Sequence, residues 1–300
     1  MIDVLTTVRD YIRYTVSEFR KNKLSFGHGT GNAYDEAVSL VLQTLNLPVT
    51  QLEPYLDAKL LPEEKSLIIE RIKMRVEKRI PLPYITKTAY LRGYEFYVDE
   101  RVIVPRSYIA EIIQNNQLLP WVENNELVHN ALDLCTGNGS LSIFLADNFL
   151  DANVVASDIS GDALTVAAIN LQKYHYDKVV QLEQSDMFSG LNKYLGKFDL
   201  IVTNPPYVDD KRMEMLPKEY HAEPNISLHG GHDGLDFVAT ILTQAKYYLT
   251  QYGVLVVEMG DNARELEDAY PGLHVDWLET EGGDGFVFVV TRQELDRYFN

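Results

Sequence analysis

The residues with the most distinctive chemistry are Asn204, Pro205, Pro206 and Tyr207, which directly follow the apolar run at residues 200–203. Neither proline can donate a backbone hydrogen bond, so the predicted strand must end at Asn204. The Asn204 side-chain carbonyl and the Pro205 backbone carbonyl could accept both N–H groups of a planar amide or amine. The prolines would fix these acceptors, and Tyr207 could stack on the flat group. This corner predicts a site that orients a weakly nucleophilic nitrogen for methylation, a reaction that needs no metal.

A glycine loop lies upstream in the segment LDLCTGNGS, between a predicted strand and a predicted helix. Gly137 and Gly139 have no side chains, so the backbone can approach a ligand closely there. Asp158 ends the next predicted strand, where its carboxylate could accept hydrogen bonds from both hydroxyls of a ribose. The spacing therefore predicts a nucleoside-containing cofactor at the carboxyl ends of the strands.

The motif favours one cofactor class over another. Ser142 occupies the third glycine position of the dinucleotide fingerprint, so the loop fits the looser pattern of S-adenosylmethionine (SAM) enzymes better. A purely structural turn would explain the glycines but not Asp158.

Asp186 could accept from an adenine amino group and Met187 could pack on the ring; the alternative is a helix cap and a core methionine. Cys135 is interpreted as a small packed residue, since no histidine or second cysteine is near it in sequence.

The composition limits the classes of partner. The chain has 27 basic and 44 acidic residues in 300, for a net charge of −17. This balance disfavours a broad electrostatic hold on nucleic acid, and it suits a basic protein or a small substrate. The alternative is that the charge only maintains solubility. The single cysteine, the absence of a signal-like start and the lack of a long apolar run predict a cytoplasmic protein without a membrane segment.

Residues 1–85 have the pattern of a helical domain. A first helix is predicted from an apolar stripe of Leu5, Val8, Ile12, Val16 and Phe19. Asn32 and Asp35 predict the cap of a second helix. A third begins near Pro62, with a stripe that runs to Ile80 and a solvated basic face at residues 71–79.

Residues 86–106 are rich in aromatic and β-branched residues and predict a β-hairpin linker. From residue 107 to residue 300, predicted strands alternate with helices, which is typical of an α/β fold with a doubly wound, mostly parallel sheet. The last two strands have only the turn EGGDG between them, so they must form an antiparallel hairpin.

Taken together, the glycine loop, Asp158, SDMF and NPPY resemble the class I SAM-dependent methyltransferases that modify nitrogen. The segments RGYEFYVDERVIVPRSYIAE and AEPNISLHGGHDGLDF resemble more specifically the protein glutamine N5-methyltransferase family. The resemblance implies a Rossmann-like, seven-stranded sheet and a helical substrate-recognition domain. It implies that Asn204, Pro205, Pro206 and Tyr207 hold a glutamine, with Arg106 and Glu111 near the pocket mouth. The residues implied to bind SAM are Cys135, Thr136, Gly137, Asn138, Gly139, Asp158, Asp186, Met187 and Asn204.

Within that family, the segments FGHGTGNAYDEAVSLVL, YVDERVIVPRS and DLCTGNGS resemble the branch that modifies large-subunit ribosomal protein three. The branch that modifies release factors typically has proline at position 107 and glycine at 135, where this chain has Ser107 and Cys135. A release-factor glutamine stays the first alternative. Nucleic-acid amino-methylation, nicotinamide oxidoreduction and an inactive SAM-binding module are further alternatives, which the acidic charge, Ser142 and the intact Asn204 respectively disfavour. No direct sequence-specific DNA binding is expected.

Overall fold

The computed structural model describes residues 4–300, and its amino-terminal part is helical. The first four helices are α1 (Val8–Lys21), α2 (Ala33–Thr44), α3 (Pro62–Glu77) and α4 (Leu82–Thr86). A capping box between Thr7 and Asp10 starts α1, and the Asn32 side chain accepts the N–H groups of Tyr34 and Asp35 at the start of α2. The three helices that the periodicity predicts are therefore confirmed, and their apolar stripes pack together in one core.

The basic face predicted at residues 71–79 is wrong at Arg75, which is 1% exposed. Its Nε donates to Glu36 Oε1 at 2.6 Å and its Nη2 donates to the Ser25 carbonyl at 2.7 Å. Its Nη1 reaches Glu219 at 3.3 Å. Burial is tolerated because the charge is fully paired. Helix α3 also ends before Ile80, so the predicted stripe is one turn too long.

The predicted hairpin is present as strands β1 (Thr88–Leu91) and β2 (Tyr94–Tyr97), which pair antiparallel. Its two-residue turn has Arg92 at φ +50° and Gly93 at φ +87°, the conformation that matches the twist of a tight hairpin. The Tyr97 N–H donates to Asn170 Oδ1 at 2.7 Å, which ties the hairpin to a helix beside the main sheet.

The main sheet has seven strands in the order β5-β4-β3-β6-β7-β9-β8 within residues 4–300. Neighbours from β5 to β7 are parallel, while β9 is antiparallel to both β7 and β8. This is the predicted class I methyltransferase arrangement with its carboxyl-terminal hairpin. The strands are β3 (Asn130–Leu134), β4 (Asn153–Asp158), β5 (Val180–Gln184), β6 (Phe198–Thr203), β7 (Leu249–Glu258), β8 (Asp276–Thr280) and β9 (Gly283–Thr291).

Helices cover both faces of the sheet. Alternation along β6 sends Leu200 and Val202 into one core and Ile201 into the other, as expected for a strand buried on both sides. The helices are α5 (Ile109–Gln114), α6 (Ser140–Asn148), α7 (Gly161–Lys173), α8 (Asp210–Met215), α9 (Asp236–Tyr248), α10 (Ala263–Ala269) and α11 (Arg292–Tyr298). The sequence did not predict α4, α5, α8 or α11, which have seven residues or fewer.

The chain passes from the helical core, which includes Leu82, to the core beside the sheet, which includes Tyr84. The domain boundaries at residues 85 and 106 stay a prediction. No helix within residues 4–300 is long and apolar enough to cross a membrane.

Candidate active site

The carboxyl ends of four parallel strands meet along one edge of the sheet. Pairing between these neighbouring strands ends at Ser157 of β4, Leu134 of β3, Thr203 of β6 and Val257 of β7. The positions that follow the last paired residues form a row across this edge, in the order Asp158, Cys135, Asn204 and Glu258. Open α/β sheets bind ligands at this edge, so the row places the predicted cofactor and substrate residues side by side.

A cavity of about 110 Å³ opens at this edge. It contains the carboxylate predicted for a ribose and the asparagine predicted for an amide. The predicted residues that line it are Cys135, Gly137, Asp158, Asp186, Met187, Asn204 and Pro206; Thr136, Asn138, Gly139, Pro205 and Tyr207 do not.

Asp158 fixes the glycine loop as well as lining the cavity. Its Oδ2 accepts the Gly137 N–H at 2.9 Å, and its Oδ1 accepts the Ser160 N–H at 2.9 Å. Burial raises the pKa of Asp158, although the hydrogen bonds oppose that shift. A carboxylate oxygen can accept more than one hydrogen bond, so both oxygens keep capacity for a ligand.

The two loop glycines have different surroundings. Gly137 has φ +55°, and a Cβ placed there would meet nothing within 4 Å. Gly139 has φ +80°, and its Cβ would lie 3.1 Å from the Cβ of Ala167 on α7. Gly139 therefore allows α6 and α7 to approach each other, while Gly137 leaves its space to the cavity.

The remaining loop side chains point into the protein. Thr136 Oγ1 and Ser142 Oγ both donate to Asp133 Oδ2 at 2.6 Å. Burial raises the pKa of Asp133 to about 6. The Asn138 side chain accepts the Ser140 N–H at 3.0 Å. Ser142, at the third glycine position, thus has a structural partner, which explains why the loop departs from the dinucleotide pattern.

Met187 and Cys135 form the apolar part of the cavity wall. Their sulfur atoms lie 3.9 Å apart, and Met187 has φ +46°. Burial raises the pKa of the Cys135 thiol. This shift argues against a thiolate nucleophile and agrees with its interpretation as a packed residue. Asp186 lies beside them with an exposed side chain, and its contact with an adenine stays a prediction.

The corner after β6, at residues 204–207, is held in place by residues that follow β7. The Tyr207 carbonyl accepts Asn262 Nδ2 at 2.8 Å. A Cβ on Gly260 would lie 2.6 Å from the ring carbon Cε2 of Tyr207, so the ring rests directly on this backbone. Burial raises the pKa of Tyr207. Within residues 4–300, the side-chain amide of Asn204 makes no hydrogen bond.

Arg106 and Glu111, predicted near the pocket mouth, are both bound to acidic or backbone partners. Arg106 makes a bidentate pair with Glu223, at 2.6 and 2.7 Å. Burial raises the pKa of Glu223, but the interactions with Arg106 and His28 together outweigh burial and hold that pKa at about 2. Glu111 accepts the Glu281 N–H at 3.2 Å.

Several residues that line the cavity were not predicted individually from the sequence. Each lies within a segment that carries the family resemblance, at VIVPRS, AEPNISL or GLDF, but contact with the cavity depends on long-range packing. The missed residues are Ile103, Ile226, Ser227 and Phe237. Leu134, Ile159 and Ser185, next to predicted residues, also line it.

A larger groove of about 770 Å³ lies at the opposite edge, beside Asp199 and Thr250. It contains none of the predicted site residues, so the smaller cavity is the candidate active site. No group of three or more His, Cys, Asp or Glu residues in the described part of the chain could hold a metal ion.

Comparisons with known proteins show what this chain is similar to. The family model described as "Methyltransferase small domain" matches residues 114–219. The ribosomal protein uL3 glutamine methyltransferase of Neisseria gonorrhoeae is 53% identical over 97% of this chain and 96% of its own length. That of Burkholderia pseudomallei is 47% identical over 96% and 95%. A methyltransferase structure from Pyrococcus furiosus covers 77% of this chain and 99% of its own, at 16% identity and a TM-score of 0.48. On the two full-length matches, the chain belongs to the family of ribosomal protein uL3 glutamine methyltransferases.

Proposed function

We propose that this protein transfers a methyl group from SAM to the side-chain amide nitrogen, N5, of a glutamine in ribosomal protein uL3. The observation that carries the proposal is the row of residues at the carboxyl edge of the sheet. In this row, Asn204 of the Asn-Pro-Pro-Tyr corner is next to Cys135, and Asp158 lies one strand further on. The name of the full-length relatives supports uL3 over a release factor. Ser107 and Cys135 support the same choice.

The residues present fit SAM. The Asp158 carboxylate offers acceptors for ribose hydroxyls, and the open space beside Gly137 allows close approach of a ligand. Cys135 and Met187 supply a soft apolar wall, and Asp186 offers an acceptor at its margin. When bound, SAM supplies an electrophilic methyl group on a positively charged sulfur.

The chain's own contribution is to orient the glutamine amide. The free Asn204 side-chain carbonyl and the Pro205 carbonyl would each accept one amide N–H, which fixes the direction of the nitrogen lone pair. The prolines stiffen both acceptors, so little reorganisation is needed during the reaction. Tyr207, supported by Gly260 and Asn262, would confine the flat amide.

Mass spectrometry of purified uL3 after incubation with enzyme and SAM tests the proposal. We expect one added methyl group on a single glutamine, localised by fragmentation of the peptide. A release factor incubated in parallel is the control substrate and should stay unmodified. Methylation of the release factor alone would move the assignment to the other branch, and methylation of neither protein would refute it.

A further inference from the structure

Glu258 is the last residue of β7 and has no role in the function proposed above. The register of β6 and β7 pairs Thr203 with Val257, so Asn204 and Glu258 occupy the next positions of the two strands. Neighbouring strands lie about 4.8 Å apart, and paired residues in a parallel ladder point to the same face. Asp158 lies on the other side of Asn204, so Glu258 is on the side away from the proposed cofactor residues.

The two oxygens of the Glu258 carboxylate differ in the hydrogen bonds that they accept. Oε2 accepts Ser107 Oγ at 2.5 Å, the Tyr108 N–H at 2.8 Å and the Ile109 N–H at 3.4 Å. Oε1 accepts no hydrogen bond from the described residues. The first oxygen thus anchors the carboxylate at the start of α5, and the second keeps its full accepting capacity.

The negative charge of Glu258 also has no salt bridge with any residue from 4 to 300. The residue is 2% exposed, and Arg106, the cation that acts on it, is itself held by the bidentate pair with Glu223. A buried carboxylate without a paired cation is costly, so a structural role alone explains it poorly. Helix capping would be served equally by a neutral acceptor.

The same segment supports the substrate corner. Gly260 and Asn262, which follow Glu258, contact the ring and the carbonyl of Tyr207. The charge of Glu258 also acts on the Tyr207 hydroxyl. The register therefore places Glu258 beside Asn204, and the residues that follow it pack against Tyr207. Glu258 itself lies behind the residues that line the cavity.

We propose that Glu258, in its ionised form, contacts the substrate glutamine at Asn204 and stabilises the positive charge that its amide gains during methylation. This inference rests on the proposed function. The amide nitrogen lone pair forms the new N–C bond, while the methyl–sulfur bond breaks and its electron pair stays on sulfur. The nitrogen then loses one N–H proton to water, so the product amide is neutral. A preorganised charge is effective for such a step, because it needs little reorganisation while the positive charge develops.

The inference predicts a characteristic pH dependence. Burial raises the pKa of Glu258 to about 7, while hydrogen bonds from Ser107, Ile109 and Tyr108 lower it. The carboxylate is ionised above this pKa, so activity should fall as the pH falls through about 7. The other ionisable groups that act on Glu258 or its tyrosine neighbours are Arg106, Tyr108, Glu111, Tyr207, Asp261 and Glu281.

The first test is Glu258→Gln, which keeps the shape and removes the charge. We expect kcat for uL3 methylation to fall about 100-fold and the activity loss near pH 7 to disappear, with SAM affinity changed less than about 3-fold. A kcat within about 3-fold of wild type would overturn the inference while leaving the proposed function intact. If wild-type enzyme does not methylate uL3, both fail.

Ser107→Ala gives a second test if Glu258→Gln does not fold. It removes a hydrogen bond that lowers the pKa of Glu258, so the activity loss should move to higher pH. Carboxyl titration of the free enzyme by NMR should show the same upward shift of the Glu258 pKa, independent of turnover. A shifted titration with an unshifted activity profile would show that the charge has no part in the reaction.

Discussion

The side chain of Asn204 has no hydrogen-bond partner within the described residues. Thr136 and Ser142 donate to Asp133 of β3, and Asp158 accepts the Gly137 N–H of the glycine loop. The unpaired amide lies at the carboxyl end of a core strand and lines the cavity, so it is available to a ligand there. Its carbonyl is the acceptor that the proposed reaction requires.

Replacing Asn204 with alanine removes that acceptor. We expect kcat for uL3 methylation to fall about 100-fold or more, since loss of one preorganised hydrogen-bonding group has this scale of effect. Single-turnover assays with labelled SAM measure the change. Asn192→Ala, at an exposed turn before β6, is the matched control and should retain wild-type activity. Full methyl transfer by the Asn204 variant would refute the proposed orientation of the amide.

Asp158→Asn tests the proposed ribose contact. An amide has only one accepting oxygen, and its NH2 group would face the N–H of either Gly137 or Ser160. We expect the Kd for SAM to rise about 10- to 100-fold, the scale of one hydrogen bond to a charged group. Isothermal titration calorimetry measures this, and kcat at saturating SAM should change less. Unaltered SAM affinity would exclude Asp158 from the cofactor site.

At the scale of the element, the two glycines of the loop between β3 and α6 have different roles. One leaves space for a ligand, and the other allows two helices to pack. Gly137 and Gly139 both have positive φ, but only Gly139 faces a packed neighbour. Alanine at either position incurs a backbone cost of about 1–2 kcal/mol. Gly139→Ala should lose about 1 kcal/mol more, because its methyl group crowds Ala167.

Two measurements check this pair. Urea unfolding should show the larger loss of unfolding free energy for Gly139→Ala, and calorimetry should show the larger loss of SAM affinity for Gly137→Ala. The two variants are each other's controls because they carry the same substitution in the same loop. Equal effects on both properties would contradict the distinction.

The helices and strands were predictable from the sequence where the pattern that specifies them is local. Strand β6 follows from its apolar run, and its end at Asn204 follows from two prolines. Asp158 follows from the end of a strand. The inward orientation of Thr136 and Asn138 was not predictable, because it depends on buried partners such as Asp133. Ile226 and Phe237 reach the cavity through long-range packing, which their own segments do not reveal, and short helices such as α5 have too few residues for a periodic signal.

At the scale of the whole molecule, Arg75 links the helical part to the segment after β6. It contacts Glu36 on α2 and Glu219 in the turn Lys218–Ala222, four residues before Glu223. Arg79 adds a second contact to Glu219 at 3.1 Å. Because Glu223 holds Arg106, these ion pairs connect the helices to the segment that contains Arg106.

Arg75→Ala would leave Glu36 without its arginine partner in a buried position. We expect the unfolding free energy to fall by about 3–5 kcal/mol, the cost of breaking a buried ion pair from one side. Chemical denaturation followed by circular dichroism measures it. Lys73→Ala, at an exposed position of the same helix, should change stability by less than about 0.5 kcal/mol. Similar losses in both variants would mean that the buried pairing contributes little.

The net charge of −17 gives the last prediction, since ribosomal proteins are strongly basic. Opposite charges raise the encounter rate of the partners, and salt screens this attraction over a Debye length of about 10 Å at 0.1 M. The KM for uL3 should therefore rise about 10-fold between low and high salt, while kcat and SAM affinity stay nearly constant. A short glutamine peptide without basic residues is the control, because it should lack this dependence. Equal salt responses of the protein and the peptide would show that the acidic surface serves solubility and does not attract the substrate.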